Sequence, residues 1–136
     1  MTVYLDTSHL VTLYLDEPDA EVVRQLVADA DVLVTSIIAY AEARATFARR
    51  RKERFMTPAE TRTAVRRLDA DWPTFVVILL SRELTRYAGE LADEHGIHGC
   101  DAVHLASFAE LVSRSEDDVR FSCADERLVH AALALG

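Results

Sequence analysis

Short apolar segments, each predicted to be a buried strand, alternate along this sequence with segments of helical periodicity. Four strands are predicted, over residues 2–5, 31–35, 74–80 and 119–123. Strands that are separated by helices favour a parallel sheet with right-handed crossover connections. The alternation therefore predicts an α/β fold. The continuously apolar segment 74–80 further predicts a strand that is covered on both faces of that sheet.

Several of the predicted helices carry clear start signals. Residues 57–60 combine a Thr cap, a Pro at the first helical position and a Glu three residues after the cap. Ser81 is predicted to cap the helix after the third strand, and Ser36 to cap a long helix that reaches about Arg54. The apolar stripe predicted for that long helix consists of Ile38, Ala41, Ala45 and Ala48.

Length and composition limit the class of protein. A chain of 136 residues with an apolar fraction of 50% predicts one globular domain over residues 1–136. Its longest apolar run is too short to span a bilayer. Asp6 and His9 interrupt the N-terminal apolar sequence, so we expect no signal peptide and a cytoplasmic protein. Cys100 and Cys123 are too few for a disulfide framework and are interpreted as small buried residues.

The charge is unevenly distributed along the chain. Residues 43–67 contain nine basic and two acidic side chains, whereas the whole chain carries a net charge of −8. The total charge argues weakly against nucleic-acid binding, but the sign of a local patch matters more than the total. The basic segment therefore supports the hypothesis that this part of the chain binds phosphate groups.

Four acidic residues lie where predicted strands end or predicted helices begin. Asp6 and Asp125 follow strands, Asp101 opens a helix, and Glu42 lies on a helix that follows a strand. Each aspartate taken alone is most often a helix cap, and Glu42 taken alone is most often a solvated residue. Taken together, all four can converge at one edge of the sheet, where open α/β folds bind their ligands.

Converging carboxylates predict a cation, because their mutual repulsion would otherwise force one or more of them to become neutral. Mg²⁺ prefers oxygen ligands and retains several waters. Such a site suits phosphodiester hydrolysis, since a bound metal ion activates water and neutralises charge on the phosphate. His104, one turn after Asp101, could act as a general acid, although a packing histidine is the favoured interpretation.

Five segments carry a resemblance to a known family. They are Tyr-Leu-Asp-Thr-Ser at 4–8, Leu-Tyr-Leu-Asp-Glu at 13–17, Tyr-Ala-Glu-Ala-Arg-Ala at 40–45, Asp-Ala-Val-His-Leu-Ala at 101–106 and Ala-Asp-Glu-Arg-Leu at 124–128. In this order they resemble PIN-domain ribonucleases of the VapC type, the toxins of bacterial VapBC toxin–antitoxin pairs. Each segment alone is weak evidence, whereas the set is specific and covers nearly the whole chain.

The resemblance implies a three-layer α/β/α PIN-like fold, with a central parallel sheet of four to five strands flanked by helices. It implies that Asp6, Glu42, Asp101 and Asp125 bind Mg²⁺ or Mn²⁺ and catalyse hydrolysis of single-stranded regions of RNA. Ser8 would contact one of these acids or a metal-bound water, although it could equally be a helix-start residue.

The resemblance also implies partners. These are a cognate VapB-type antitoxin that wraps the toxin and blocks its site, a second toxin copy in a homodimer, and an RNA substrate. Arg49 and Arg50 are candidates for contact with the RNA backbone. A solvated helix end, where cations favour the helix dipole, explains these two arginines equally well.

The sequence departs from the family pattern at three places. Thr12 stands where many relatives carry a base, Cys123 stands where many carry Ser or Thr, and the end at Gly136 leaves the short fifth strand missing or vestigial. None of these changes removes one of the four acids. A catalytically silent PIN-like domain that binds RNA or protein remains the alternative. The loss of one of the four carboxylates from the sequence would indicate such a domain.

Two phosphate-handling α/β classes fit less well. A receiver domain would need paired acids after the first strand and a lysine at the end of a late strand, but the only lysine is Lys52. A hydrolase with an aspartate nucleophile would need a second aspartate where Ser8 stands.

Overall fold

The computed structural model describes residues 1–135. Its strands are β1 (Thr2–Leu5), β2 (Val32–Ser36), β3 (Val76–Ile78) and β4 (Val119–Ser122). Its α-helices are α1 (Thr7–Thr12), α2 (Ala20–Asp29), α3 (Ala39–Lys52), α4 (Pro58–Asp71), α5 (Arg82–His95), α6 (Gly99–Arg114) and α7 (Glu126–Leu135). A turn of 3₁₀ helix, Trp72–Thr74, precedes β3. Gly136, on which the expectation about the fifth strand rests, lies outside the described residues.

The four strands form one parallel sheet in the order β3-β2-β1-β4, with helices on both of its faces. Because side chains alternate along a strand, β1 supplies both cores. Val3 and Leu5 pack against α1 to α4. Tyr4 points to the opposite face and packs against α5, α6 and α7. This arrangement confirms the three-layer α/β/α fold and the parallel sheet predicted from the sequence.

The path of the chain reverses between β1 and β4. From β1 the chain proceeds outward to β2 and β3, and then returns across the other face to β4 on the far side of β1. The carboxyl ends of strands at such a reversal are where parallel α/β sheets bind ligands. Asp6 lies here. Its N–H donates to the carbonyl of Ser122 at 3.0 Å, and the Thr35 hydroxyl donates to the carbonyl of Leu5 at 2.7 Å.

The helix caps predicted at Thr57 and Ser81 are confirmed. The Thr57 side chain accepts from the N–H of Glu60, while the Glu60 carboxylate accepts from the N–H of Thr57. Ser81 caps α5 by accepting from the N–H of Leu84. Gly96 ends α5 with φ of 62°, in the left-handed region that glycine adopts most easily.

Helix α3 starts later than predicted. Ser36 is the last residue of β2, and its hydroxyl accepts from the N–H of Ile38 at 3.3 Å, so it closes a turn and does not cap the helix. The predicted stripe was also wrong. The buried residues of α3 are Ala39, Ala43 and Phe47. Three residues of the predicted stripe are exposed, namely Ala41, Ala45 and Ala48.

Strand β3 is shorter and more exposed than the sequence predicts. It spans three residues at the edge of the sheet and pairs only with β2. Val76 is 51% exposed, and Leu79 and Leu80 beyond the strand are exposed as well. The prediction of a strand covered on both faces was therefore wrong.

The two cysteines differ from each other. Cys123 is buried as predicted, whereas Cys100 is exposed, which contradicts its interpretation as a buried residue. In the part of the chain that the structure describes, no helix is long and apolar enough to cross a membrane. The single domain over residues 1–136 and the cytoplasmic location stay predictions.

Candidate active site

Asp6 is a buried carboxylate that accepts several hydrogen bonds at the end of β1. Its Oδ2 accepts from the Ser8 N–H at 3.1 Å, from the Ser8 hydroxyl at 2.7 Å and from the Cys123 thiol at 3.4 Å. The bond from the Ser8 N–H makes Asp6 the N-cap of α1, so the cap interpretation holds too. The Ser8 hydroxyl also accepts from the N–H of Ala124, which ties α1 to the segment after β4.

Cys123 connects the surroundings of the two strand-end acids. Its thiol donates to Asp6, and its sulfur accepts from the N–H of Asp125 at 3.4 Å. Burial, followed by the negative charge of Asp6, raises the pKa of Cys123 to about 12. Because the thiolate is the reactive form of cysteine, Cys123 acts here as a neutral hydrogen-bond donor.

His104 lies between Asp6 and Glu42. Its Nε2 is 2.8 Å from Oε1 of Glu42, 3.0 Å from the Thr7 hydroxyl and 3.6 Å from Oδ1 of Asp6. Its Nδ1 is 2.8 Å from the Tyr4 hydroxyl. The His104 side chain is only 1% exposed. The structure thus brings Asp6 and Glu42 together around one imidazole, a contact that the sequence analysis missed.

Glu42 is half-buried on the first turn of α3, with a strongly hydrogen-bonded carboxylate. The Thr7 hydroxyl donates to its Oε1 at 2.6 Å. Burial raises the pKa of Glu42, but the hydrogen bonds from His104 and Thr7 outweigh burial and hold the pKa below its usual value. Glu42 is therefore a carboxylate at neutral pH.

Asp101 lies on the first turn of α6, and its pKa is affected by burial and by the neighbouring acids. Burial raises the pKa of Asp101, and the negative charge of Asp6 and, more weakly, that of Asp125 raises it further. His98 and His104 act in the opposite direction. The raised pKa therefore reflects burial first, with a contribution from the negative charge of Asp6.

Asp125 occupies the rim of the site and contacts an arginine. Its Oδ1 accepts from the N–H of Arg127 at 2.9 Å, and its Oδ2 lies 3.3 Å from the Arg127 guanidinium. These hydrogen bonds lower the pKa of Asp125. The structure thus places Asp125 after β4 as predicted, with its carboxylate held by Arg127.

The four acids fit a hard divalent cation by their chemistry. They supply carboxylate oxygens, the ligands that Mg²⁺ and Mn²⁺ prefer, and the negative charge of Asp6 contributes, after burial, to the raised pKa of Asp101. Among residues 1–135, however, no three side chains of His, Cys, Asp or Glu are grouped closely enough to form a ready cation site. Binding of one ion by three or more of these acids would therefore require side-chain movement.

The two candidate RNA-binding arginines differ in their surroundings. Arg49 is exposed on the last turn of α3, whereas Arg50 is half-buried and forms an ion pair with Glu17. Arg49 lies seven residues after Glu42, which is about 10 Å along a helix axis. Arg49 is thus free to meet a ligand, whereas Arg50 would have to exchange a partner.

Comparison with known proteins identifies the family. Residues 3–133 match the family model described as the PIN domain. The chain belongs to the PIN-domain family. A curated relative, Ribonuclease VapC45 of Mycobacterium tuberculosis, is 33% identical to this PIN-domain chain over 105 residues, which cover 77% of this chain and 73% of the relative. The predicted resemblance to VapC ribonucleases is therefore confirmed, and the receiver and aspartyl-phosphate hydrolase alternatives are excluded.

Solved structures agree with this PIN-domain assignment. The VapC20 toxin of Mycobacterium tuberculosis, described as cleaving the sarcin–ricin loop, aligns with a TM-score of 0.66 at 20% identity, over 90% of this chain and 91% of that chain. A toxin–antitoxin complex from Klebsiella pneumoniae aligns with a TM-score of 0.62 at 20% identity, over 90% of this chain and 86% of that chain. At this identity, the likeness establishes the fold.

Proposed function

We propose that this PIN-domain protein is a metal-dependent endoribonuclease toxin that a cognate antitoxin neutralises. The observation that carries the proposal is the meeting of Asp6 and Glu42 around His104, at the edge of the sheet where ligands bind. The 33% identical relative is named a ribonuclease, which supports RNA as the substrate. The family resemblance supports cleavage within single-stranded regions.

Each acid has a role in this proposal. Asp6, Glu42, Asp101 and Asp125 would bind Mg²⁺ or Mn²⁺. When bound, such an ion activates water for attack on the phosphodiester and neutralises charge on the phosphate oxygens. Ser8 holds the Asp6 carboxylate in place through its hydroxyl and its N–H. Asp125 would have to exchange Arg127 for the ion, since its carboxylate contacts that arginine.

The partners follow from the same family. The aligned complex from Klebsiella pneumoniae is described as a toxin–antitoxin complex, which supports a VapB-type antitoxin as the partner of this chain. The family resemblance supports a homodimer as well. In this proposal the antitoxin blocks the edge of the sheet on which the four acids lie.

Removal of divalent metal tests the proposed reaction. We expect purified protein, freed of any bound partner, to cut single-stranded RNA with Mg²⁺ or Mn²⁺ and to lose this activity in EDTA. Gel analysis of end-labelled RNA measures the cleavage. Equal cleavage in EDTA would contradict the proposed mechanism. RNA binding without cleavage, across structured and single-stranded RNAs, would instead indicate a catalytically silent domain.

The paired substitution Arg49→Glu and Arg50→Glu tests the basic end of α3. If this surface contacts the RNA backbone, affinity should fall, and the slope of log affinity against log salt should become shallower by about 0.7 for each lost phosphate contact. Fluorescence anisotropy with labelled single-stranded RNA at several salt concentrations measures both quantities.

Two control variants make this test specific. Arg82→Glu with Arg86→Glu causes the same change in net charge on exposed positions of α5. Glu17→Gln breaks the ion pair of Arg50 and keeps both basic residues. Neither control should weaken binding. An equal loss of affinity in the α5 control would show that only the net charge matters.

A further inference from the structure

Tyr4 and His104 are two large polar side chains that are fully buried in the core, where the smaller Ser107 is buried as well. Tyr4 is fully buried in the central strand, and His104 is fully buried on α6 among alanine, leucine and phenylalanine side chains. A buried polar group costs free energy unless it is hydrogen-bonded. Within residues 1–135, no buried side-chain nitrogen or oxygen lacks a hydrogen-bond partner, so both side chains are satisfied.

The hydrogen bonds of these two side chains form one chain that ends on an acid of the candidate site. The Tyr4 hydroxyl is 2.8 Å from Nδ1 of His104, and Nε2 of His104 is 2.8 Å from Oε1 of Glu42. A carboxylate can only accept hydrogen bonds, so Nε2 donates to Glu42. With Nε2 protonated, the Tyr4 hydroxyl donates to Nδ1 when the ring is neutral and accepts from Nδ1 when the ring is charged, so it satisfies Nδ1 in either charge state.

We propose that Tyr4 and His104 are positioning residues that set the orientation of the Glu42 carboxylate and place it beside Asp6. The inference rests on the proposed function, because it assigns these two residues a role in preparing the four acids for a divalent ion. Neither residue reaches the substrate in this proposal. His104 acts through Glu42, and Tyr4 acts through His104.

The geometry explains why Glu42 needs this support. Its side chain extends from a helix and is 30% exposed, so it has room for other rotamers. His104 and Thr7 both donate to the same oxygen, Oε1, so these two hydrogen bonds do not occupy Oε2. In metal sites, groups that orient a ligand in this way typically contribute about 10- to 100-fold to metal affinity.

A histidine that merely fills space would have different properties. It would need a partner for each nitrogen, but that partner would not have to be an acid at the edge of the sheet. Nε2 instead lies within 3.6 Å of both Asp6 and Glu42. The ring also packs edge-on against Tyr4, with centroids 5.9 Å apart, so the orientation of the imidazole is fixed from its buried side.

Binding of Mn²⁺ to metal-free protein, measured by isothermal titration calorimetry, tests the role of these residues in ligand orientation. We expect His104→Leu to weaken binding by about 10- to 100-fold. His104→Gln retains a donor near the position of Nε2 and should restore part of the affinity. Tyr4→Phe removes only the hydroxyl and should weaken binding less than His104→Leu.

A matched control separates positioning from loss of packing. Leu91→Ala creates a cavity in the same core, on α5, where the side chain is buried. It should lower stability without weakening Mn²⁺ binding. If His104→Leu does not fold, Tyr4→Phe and His104→Gln decide the question, and affinity equal to that of the unmodified protein in both variants would overturn the proposal.

A second readout requires neither metal nor RNA. In ¹⁵N-labelled, metal-free protein, we expect NMR to show a proton on Nε2 of His104 and to show its resonances shifting in Glu42→Gln and in Tyr4→Phe. The exposed His130 provides an internal reference whose resonances should not move. Unchanged His104 resonances in both variants would overturn the proposal.

The outcomes for the positioning role and for the proposed function differ. If the unmodified protein binds Mn²⁺ and cuts RNA, and His104→Leu matches Leu91→Ala in both respects, the positioning role is overturned and the proposed function stands. If the unmodified protein neither binds Mn²⁺ nor cuts RNA, the proposed function fails, and so does the proposal that Tyr4 and His104 prepare Glu42 for a metal ion. The NMR shifts would then report the hydrogen-bonded chain alone.

Discussion

The Asp6→Asn substitution is expected to lower metal-dependent RNA cleavage by about 10²-fold or more while the protein stays folded. Asn has nearly the shape of Asp and can still accept from the Ser8 N–H, so it should retain the cap of α1. It loses the negative charge that an ion would require. Asp101→Asn should have a comparable effect, because Asp101 is another of the four acids that are proposed to bind the ion. Initial cleavage rates of end-labelled RNA measure both losses.

The control for this experiment is Asp93→Asn, which makes the same chemical change at an exposed position of α5. It should cut RNA at the rate of the unmodified protein. Circular dichroism of all three variants checks that they are folded. A folded Asp6→Asn protein with undiminished, metal-dependent cleavage would leave Asp6 with the role of a helix cap alone.

The Phe47→Ala substitution is expected to reduce the free energy of unfolding by about 3–5 kcal/mol. Phe47 is fully buried and packs edge-on against Tyr14, with ring centroids 6.2 Å apart. Its removal would leave a cavity between α3 and Tyr14 that rigid neighbours cannot fill. A domain of this size is typically stable by only about 5–15 kcal/mol, so much of the stability would be lost. Urea denaturation followed by circular dichroism measures the change.

Phe55→Ala provides the matched control, since it removes the same ring from a position that is 73% exposed just beyond α3. Its effect should stay within about 0.5 kcal/mol. Similar midpoints of denaturation for the two variants would contradict the assignment of Phe47 to the core.

The sequence by itself determined the features that depend on neighbouring residues. Strand β1 was predictable because the segment Thr2–Leu5, which contains three apolar residues in a row, ends abruptly at Asp6. The cap at Thr57 was predictable because it needs only Thr57, Pro58 and Glu60, all within one turn. The order of strands and helices followed from the same local signals, and it placed the acids at the carboxyl edge of a parallel sheet.

The tertiary structure alone decided which faces are buried. Alanines occur on every side of α3, so the spacing of apolar residues could not predict which face of the helix is buried. In the structure the buried face is the one on which Phe47 packs against Tyr14. Strand β3 has the composition of a central strand but lies at the edge of the sheet, because position in a sheet depends on the whole chain. Local pattern carries no information about which neighbours a strand finds.

The tertiary structure also decided which polar groups meet. Glu42 and His104 are 62 residues apart in the sequence but only 2.8 Å apart in space. The one signal in the sequence was the position of His104, three residues after Asp101, on a helix that opens at the edge of the sheet. Such a pairing depends on how α3 and α6 pack against opposite faces of β1, and no local interaction encodes it. The sequence therefore determined the acids, and the fold determined the hydrogen bonds that hold them.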